Sequence, residues 1–236
     1  MNPVTGEALN LTKLDIKGLG KAKYILKEGG TLGDLYTTSN LRFNDNGYVE
    51  VDKNGNLLMT DEGEDIYLGS VFPNHNLAWR NDFSYKGINL GVLFTARLGG
   101  VCYSATQANL DLYGVSEASA AARDAGGVLI NGREMVDAQK WYQAIGSQSG
   151  LPQYYLYSAT NVRLQELSLG YTFPRKWFRN KLGLTVSFVG RNLWMIYCKA
   201  PFDPEAVAST GLNYQGIDYF MMPSVRNLGF NVKFQF

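Results

Sequence analysis

Histidine and cysteine are nearly absent from this 236-residue sequence, which has one His, His75, and two Cys, Cys102 and Cys198. A single imidazole with no supporting pattern gives no basis for Ser-His-Asp chemistry. Two cysteines are too few for a disulfide scaffold, and they lack metal-ligand spacing. Neither sign of charge is in surplus: 22 Lys+Arg against 21 Asp+Glu leave a formal charge of +1. A nucleic-acid binder needs a basic excess to neutralise phosphates, so no nucleic-acid partner is expected. No apolar run approaches the ~18 residues of a transmembrane helix, which excludes a helical membrane protein. Residues Met1 to Glu7 have neither a basic start nor an apolar stretch, so no signal peptide is read there. The expectation is either a cytoplasmic protein or a longer one whose front lies elsewhere.

Aromatic residues and glycine are what the chain has in quantity: 15 Tyr, 12 Phe, 4 Trp and 26 Gly. Sheets favour aromatic and β-branched residues, with glycine and asparagine at turns, so the composition points to β structure. The first seventy residues are polar and punctuated by turns. Asn46-Gly47 and Asn54-Gly55 suit two-residue type I′ hairpins, with Tyr48-Val49-Glu50-Val51 alternating as a short strand between them. Asp52-Lys53-Asn54-Gly55-Asn56 lacks the glycine position and twelfth-position Glu of a calcium loop, so the hairpin is the stronger reading. The run Asp61-Glu62-Gly63-Glu64-Asp65 reads as a solvated loop, with cation binding again the weaker alternative.

From Leu77 onward the pattern has a period of two. Ile88, Leu90, Val92, Phe94, Ala96 and Leu98 share one face of an extended strand, opposite Asn89, Gly91, Thr95 and Arg97, with Leu93 out of place. Successive strand side chains alternate faces, so this strand has one apolar and one polar surface. The dyad recurs at Leu167–Phe173, at Leu182–Phe188 and at Leu228–Phe236, and less cleanly at Leu77–Tyr85. Two environments produce it: a soluble sandwich whose apolar face meets a second sheet, and an outer-membrane barrel whose apolar face meets lipid. Strand length favours the barrel, because ~9–11 residues cross a bilayer at a tilt whereas globular strands average nearer ~5–6. Loop lengths favour it too, with tight links at Lys86-Gly87 and Pro174-Arg175-Lys176 but long excursions from Leu98 to Val162 and from Leu193 to Pro223. Within the first excursion, Ser116 caps a predicted helix over 117–123 that stops at Gly126-Gly127. A second helix is predicted over 136–145, with Gly146 as its stop.

The stretch Asn161-Val162-Arg163-Leu164-Gln165-Glu166-Leu167-Ser168-Leu169-Gly170-Tyr171-Thr172-Phe173-Pro174 resembles a strand and turn of SusC/RagA-type TonB-dependent outer-membrane transporters. Gly190-Arg191-Asn192-Leu193, Asp203-Pro204-Glu205, Arg97-Leu98-Gly99-Gly100 and Tyr103-Ser104-Ala105-Thr106 are similar to further segments of that family, in the same order. The resemblance runs across residues ~65 to 236. It implies an all-β fold: an antiparallel transmembrane wall, the C-terminal strands of a barrel of about 22 strands, with long extracellular loops carrying short helices. Residues 1–70 would be a polar loop and hairpin region. Residues 71–236 would be the C-terminal strands, with long loops at about 99–161 and 194–222. About five membrane-length strands cannot close such a barrel, so a curved open sheet is expected.

The resemblance further implies import of bulky nutrients, glycan or peptide fragments, across the cell outer membrane, with no catalytic residues, metal or cofactor. Its partners would be a SusD-like lipoprotein, the TonB complex acting through a plug region outside this sequence, the outer-membrane insertion machinery and the lipid bilayer. Leu90, Phe94, Leu169, Tyr171, Phe188 and Phe230 would face lipid, and Arg97, Glu166, Thr185 and Lys233 the lumen. Tyr103, Trp141, Tyr154, Tyr155 and Tyr214 are the candidates for loop contact with substrate or lid. Phe234 and Phe236 resemble a C-terminal insertion signal. Asp203-Pro204-Glu205 reads on its own as a turn. A rival from another class is a soluble, aromatic-rich β domain binding carbohydrate, with Trp79, Trp141 and the tyrosines as stacking platforms. Paired carboxylates such as Glu62 and Glu64 make a hydrolase a weaker third reading.

Overall fold

The computed structural model describes residues 13–60, 63–209, 211 and 214–236. The N-terminal segment and the Asp61-Glu62 half of the acidic run lie outside the described residues. In chain order, β1 (Lys13–Leu19), β2 (Ala22–Lys27), β3 (Asp34–Thr37), β4 (Asn40–Leu41), β5 (Met59–Thr60) and β6 (Ile66–Ser70) precede the long strands β7 (His75–Tyr85) and β8 (Ile88–Leu98). Next come β9 (Val101–Ser104), α1 (Ala105–Leu112), α2 (Glu117–Asp124), β10 (Val128–Ile130), β11 (Glu134–Val136), α3 (Ala138–Gly146) and β12 (Leu156–Ser158). The chain closes with β13 (Asn161–Phe173), β14 (Gly183–Cys198), β15 (Ile217–Asp218) and β16 (Asn227–Gln235). The described residues divide into two compact units: those within 13–72, 101–157 and 207–221 form one, and those within 73–100, 158–206 and 222–236 the other.

The second unit is a single antiparallel sheet ordered β16-β14-β13-β8-β7, so the expected open antiparallel architecture is what is found. Its central strands are long because the apolar/polar alternation runs unbroken; β8 has the predicted bounds, Ile88–Leu98. β13 and β14 exceed the predicted segments, at 13 and 16 residues. Their periods break at irregular pairings between Leu164 and Glu166, and Asn192 there adopts φ 52°. A bulge shifts the face by one residue and so hides the continuation of a strand from a period-two reading. The link at Lys86-Gly87 is a two-residue turn with both residues at positive φ (49° and 90°). Glycine is required at 87, since a Cβ there would lie 2.7 Å from the Thr172 carbonyl oxygen. The Lys86-Gly87 turn and the 174–182 link lie at one end of the sheet; the long connections 99–160 and 199–226 both leave from the other.

The first unit has its own core, in which Tyr24, Leu35, Leu41, Val71, Leu151 and Ile217 are fully or almost fully buried. The 13–70 region, read from sequence as polar loop and hairpin, contributes the sheet β1-β2-β3-β6 and several of these core side chains. Ser116 caps α2 as predicted, its side chain accepting the Ser119 N–H. α3 begins at Ala138 rather than Val136, because Asp137 is the cap and Val136 belongs to β11. α1 was not foreseen. The Ser104 hydroxyl caps it through the Gln107 N–H, at a place where the sequence reads as a strand end.

The Asn-Gly turns also differ from expectation. At Asn46-Gly47 and Asn54-Gly55 the left-handed residue is the glycine (φ 76° and 77°), and it stands fourth in turns closed by Gly47 N–H to Asn44 C=O and Gly55 N–H to Asp52 C=O. That is the three-residue hairpin with a glycine bulge, not type I′. The side chains decide it: Asn44 Oδ1 accepts from the N–H of Asn46 and Tyr48, and Asp52 Oδ1 from those of Asn54 and Asn56. The type I′ conformation appears instead at Asn131-Gly132, with φ 54° and 70°, between β10 and β11.

Candidate functional site

The five-stranded sheet has two chemically opposed faces. On one, cross-strand pairing lines up Phe83, Leu90, Leu169, Phe188 and Phe230 as a row across all five strands. Tyr85, Ile88, Tyr171, Val186 and Val232 form the next row, and Trp79 stacks on Phe94 at 5.6 Å beyond. This face is open: Leu169 is 55% exposed, Phe188 54% and Phe230 80%. All six residues expected to face lipid lie on it. Phe234 continues the face next to Leu184, and Phe236 at the chain end is almost wholly exposed.

The opposite face is polar and organised in three tiers. Near the tight turns, Ser84 Oγ donates to Asn89 Oδ1 at 2.9 Å and Asn89 Nδ2 to Thr172 Oγ1 at 2.8 Å. The Thr172 and Thr185 hydroxyls lie 3.1 Å apart, and Thr185 pairs across to Lys233. In the middle runs a charge ladder. Arg80 grips Asp82 through two nitrogens at 2.8 and 3.1 Å and reaches Glu166 at 3.4 Å, and Arg191 Nε holds the other Glu166 oxygen at 3.0 Å. Two arginines alternate with two carboxylates, so no unbalanced charge is left on this tier. Gly91 makes room for it: a Cβ there would lie 2.5 Å from Ser168 Oγ and 2.8 Å from Asp82 Oδ1.

The third tier is a buried clasp at the end from which the long connections leave. Arg163, 3% exposed, donates Nη2 to Asp203 Oδ1 at 2.9 Å and Nε to Asn161 Oδ1 at 3.2 Å. Glu205 stands 3.4 Å from the same guanidinium. Ser224 Oγ donates to Asp203, and Asn192 Nδ2 donates to Ser224 Oγ at 2.8 Å. Burial alone would raise the Asp203 pKa. The Arg163 and Ser224 donors and the Glu205 N–H outweigh it and hold the carboxyl below the usual range. The Asp203-Pro204-Glu205 segment is the predicted turn, closed by Ala206 N–H to Asp203 C=O. It is also an anchor, fastening 203–206 and 224–225 to β13 and β14. Beside it lies an open cleft of about 380 Å³ lined by Met195, Cys198, Phe202, Ser224 and Arg226, among others.

All four expected lumen residues lie on the polar face. Glu166 is in the ladder, Thr185 and Lys233 are neighbours near the turns, and Arg97 pairs between Asn76 and Asn161. The five loop aromatics do not share one exposed surface. Tyr103 and Tyr155 are core residues of the first unit, 8% and 2% exposed, so both pack that core instead of reaching substrate or lid from a loop surface. Burial pushes the Tyr103 phenol up to about 12. Trp141 packs against the same core and meets Tyr154 edge-on at 5.9 Å, while Tyr154 and Tyr214 are exposed. Sequence reasoning missed Arg163, Asn192 and Ser224, whose significance rests on contacts 21 to 40 residues apart along the chain. Among the described residues no group of three or more His, Cys, Asp or Glu could hold a metal ion, and no disulfide joins Cys102 to Cys198.

No family model matches the chain. A curated relative, the TonB-dependent receptor P3 of Formosa agariphila, is 26% identical over 198 residues, which are 79% of this chain and 19% of the receptor. Among solved structures, that of the RagAB peptide transporter superposes with a TM-score of 0.56 at 19% identity, covering 97% of this chain and 25% of the transporter chain. The chain thus spans about a fifth to a quarter of the relatives it matches, and it shares the fold of the corresponding part.

Proposed function

We infer, from a sequence relative and a fold that both support a SusC/RagA-type stretch of a TonB-dependent receptor, that this chain supplies barrel wall and outer loops to an importer of bulky nutrients, peptide or glycan fragments, in the outer membrane. The observation that carries the reading is the uncovered row Phe83, Leu90, Leu169, Phe188 and Phe230 on a one-layer sheet. Removing a large apolar side chain from water is favourable by roughly 1.5–3 kcal/mol, so a row of five needs a cover, and a bilayer provides one. Strand length agrees. Eleven residues at about 3.3 Å, tilted by roughly 40°, rise about 28 Å, against an apolar band of about 25 Å.

On this reading the polar tiers face the lumen, and the Arg163–Asp203 clasp holds two outer segments at its mouth. The plug and TonB contact lie outside this sequence, a SusD-like lipoprotein is the partner at the outer loops, and the strand ending in Phe234 and Phe236 is what the insertion machinery reads. The role is passive: the side chains bind, line and position, and no substrate bond is broken. Uptake tests it. Cells carrying the whole receptor gene should accumulate labelled peptide or glycan oligomers, and should lose that uptake on deletion of the gene or dissipation of the proton gradient. Equal uptake of both classes by the deletion strain would overturn the assignment.

A further inference from the structure

We propose that the pocket between α1, α2 and α3 binds a zwitterionic ligand of amino-acid size, with Asp111 as counter-ion to its ammonium group and Arg123 to its carboxylate. The inference does not rest on the transport reading. The pocket measures about 330 Å³ and is lined by Asp111, Ser119, Arg123, Gln139, Tyr142 and Gln143 among others. Asp111 is 5% exposed, on the buried side of α1. Gln107 Nε2 donates to it at 2.9 Å, and among the described residues no Lys, Arg or His forms an ion pair with it.

A buried carboxylate is ordinarily paired, because away from water its charge is otherwise left uncompensated. Its neighbours here are phenols, which cannot neutralise it. Tyr142 and Tyr157 are raised in pKa by burial first and then by the Asp111 charge, and Tyr155, 2% exposed, by burial, by that charge and by its side-chain interaction with Asp111. An ammonium is the complement to such a site, since it supplies charge and donors together. Arg123 stands exposed on the same pocket and gives one nitrogen to the Gly114 carbonyl at 2.7 Å, without an ion pair among the described residues. An anion buried at one wall and a cation exposed at another are the charge pattern of an α-amino acid reversed.

The test is calorimetric titration of the detergent-purified protein with L-leucine, L-leucinamide and N-acetyl-L-leucine. Leucine should bind best, and leucinamide, which keeps only the cation, should bind at least tenfold tighter than N-acetylleucine. Asp111→Asn keeps the Gln107 contact and should abolish leucinamide binding. Arg123→Ala, at an exposed position, should weaken leucine toward leucinamide and leave leucinamide unchanged. The proposal is overturned if none of the three probes binds, if N-acetylleucine binds as well as leucinamide, or if a folded Asp111→Asn protein binds all three normally. Should Asp111→Asn fail to fold, the probe order on the native protein and the Arg123→Ala result decide the matter.

Discussion

Replacing Asp203 by Asn removes the buried charge that Arg163 faces and leaves one acceptor oxygen, enough for either the Glu205 N–H or Ser224 but not for both. Breaking a buried ion pair by changing one partner typically costs about 3–5 kcal/mol, because the other charge is left uncompensated. Glu205, 3.4 Å from Arg163 and 41% exposed, takes up part of the charge, which puts the expectation at the low end, about 3 kcal/mol. The loss should appear locally, in the segments the clasp fastens, rather than in the whole sheet. At about 1.4 kcal/mol per factor of ten, amide exchange of residues 200–206 and 224–226 should accelerate about a hundredfold. Hydrogen–deuterium exchange read by mass spectrometry measures it. The double change Arg163→Met with Asp203→Leu should restore much of the protection, since a well-packed apolar pair often equals a buried ionic one. Acceleration below threefold, or single effects that simply add in the double variant, would refute the reasoning. The pH dependence has a definite sign. The folded-state pKa of Asp203 is lowered, so its contribution is present above the ordinary carboxylate range and is lost as pH falls through the lowered value.

Phe188→Arg should destabilise the sheet in lipid by about 2–4 kcal/mol, the depth-dependent cost of a charge on a lipid face, whereas Ser187→Arg on the other face should cost far less; urea unfolding from vesicles compares them. Gly87→Ala should reduce folded yield, with a cost of about 1–3 kcal/mol, because it forces a side chain at φ 90° against the Thr172 carbonyl; refolding efficiency into detergent reports it. Asp65 is held by Lys13 at 2.8 Å and Lys27 at 2.9 Å, and those two donors lower its carboxyl pKa. Both lysines are more than a third exposed, so solvent screening limits the effect. Asp65→Asn should therefore cost only about 0.5–1 kcal/mol at neutral pH. The difference should shrink as pH falls through the lowered folded-state pKa, where the native carboxyl becomes protonated too, and denaturant midpoints across an acid pH series test this.

What could be read in the sequence follows from how local its cause is. The β8 strand was legible to the residue because its faces alternate without a break, and α2 because Ser116 and the following small helix formers announce a cap. β14 was cut short because Asn192 turns left-handed and shifts the face. The turn type at Asn46-Gly47 was misread because Asn44, two residues upstream, reshapes the loop with its own side chain. Tyr103 and Tyr155 looked like surface aromatics because nothing near them in the chain reveals the core that surrounds them. The clasp was invisible for a related reason. Arg163 fits a strand pattern, Asp203 a turn pattern and Ser224 a loop, and only folding brings the three together.

The most direct test concerns which solvent each face meets. Single cysteines placed at Leu169, Phe188 and Phe230, and at Ser168, Ser187 and Asn231, in a receptor stripped of its native cysteines would carry a nitroxide label in reconstituted bilayers. Collision rates with oxygen, which concentrates in acyl chains, should be high for the first three. Collisions with a water-soluble nickel complex should dominate for the second three. Six labels all meeting water, or the first three shielded from both reagents as in a dry protein interior, would contradict the account.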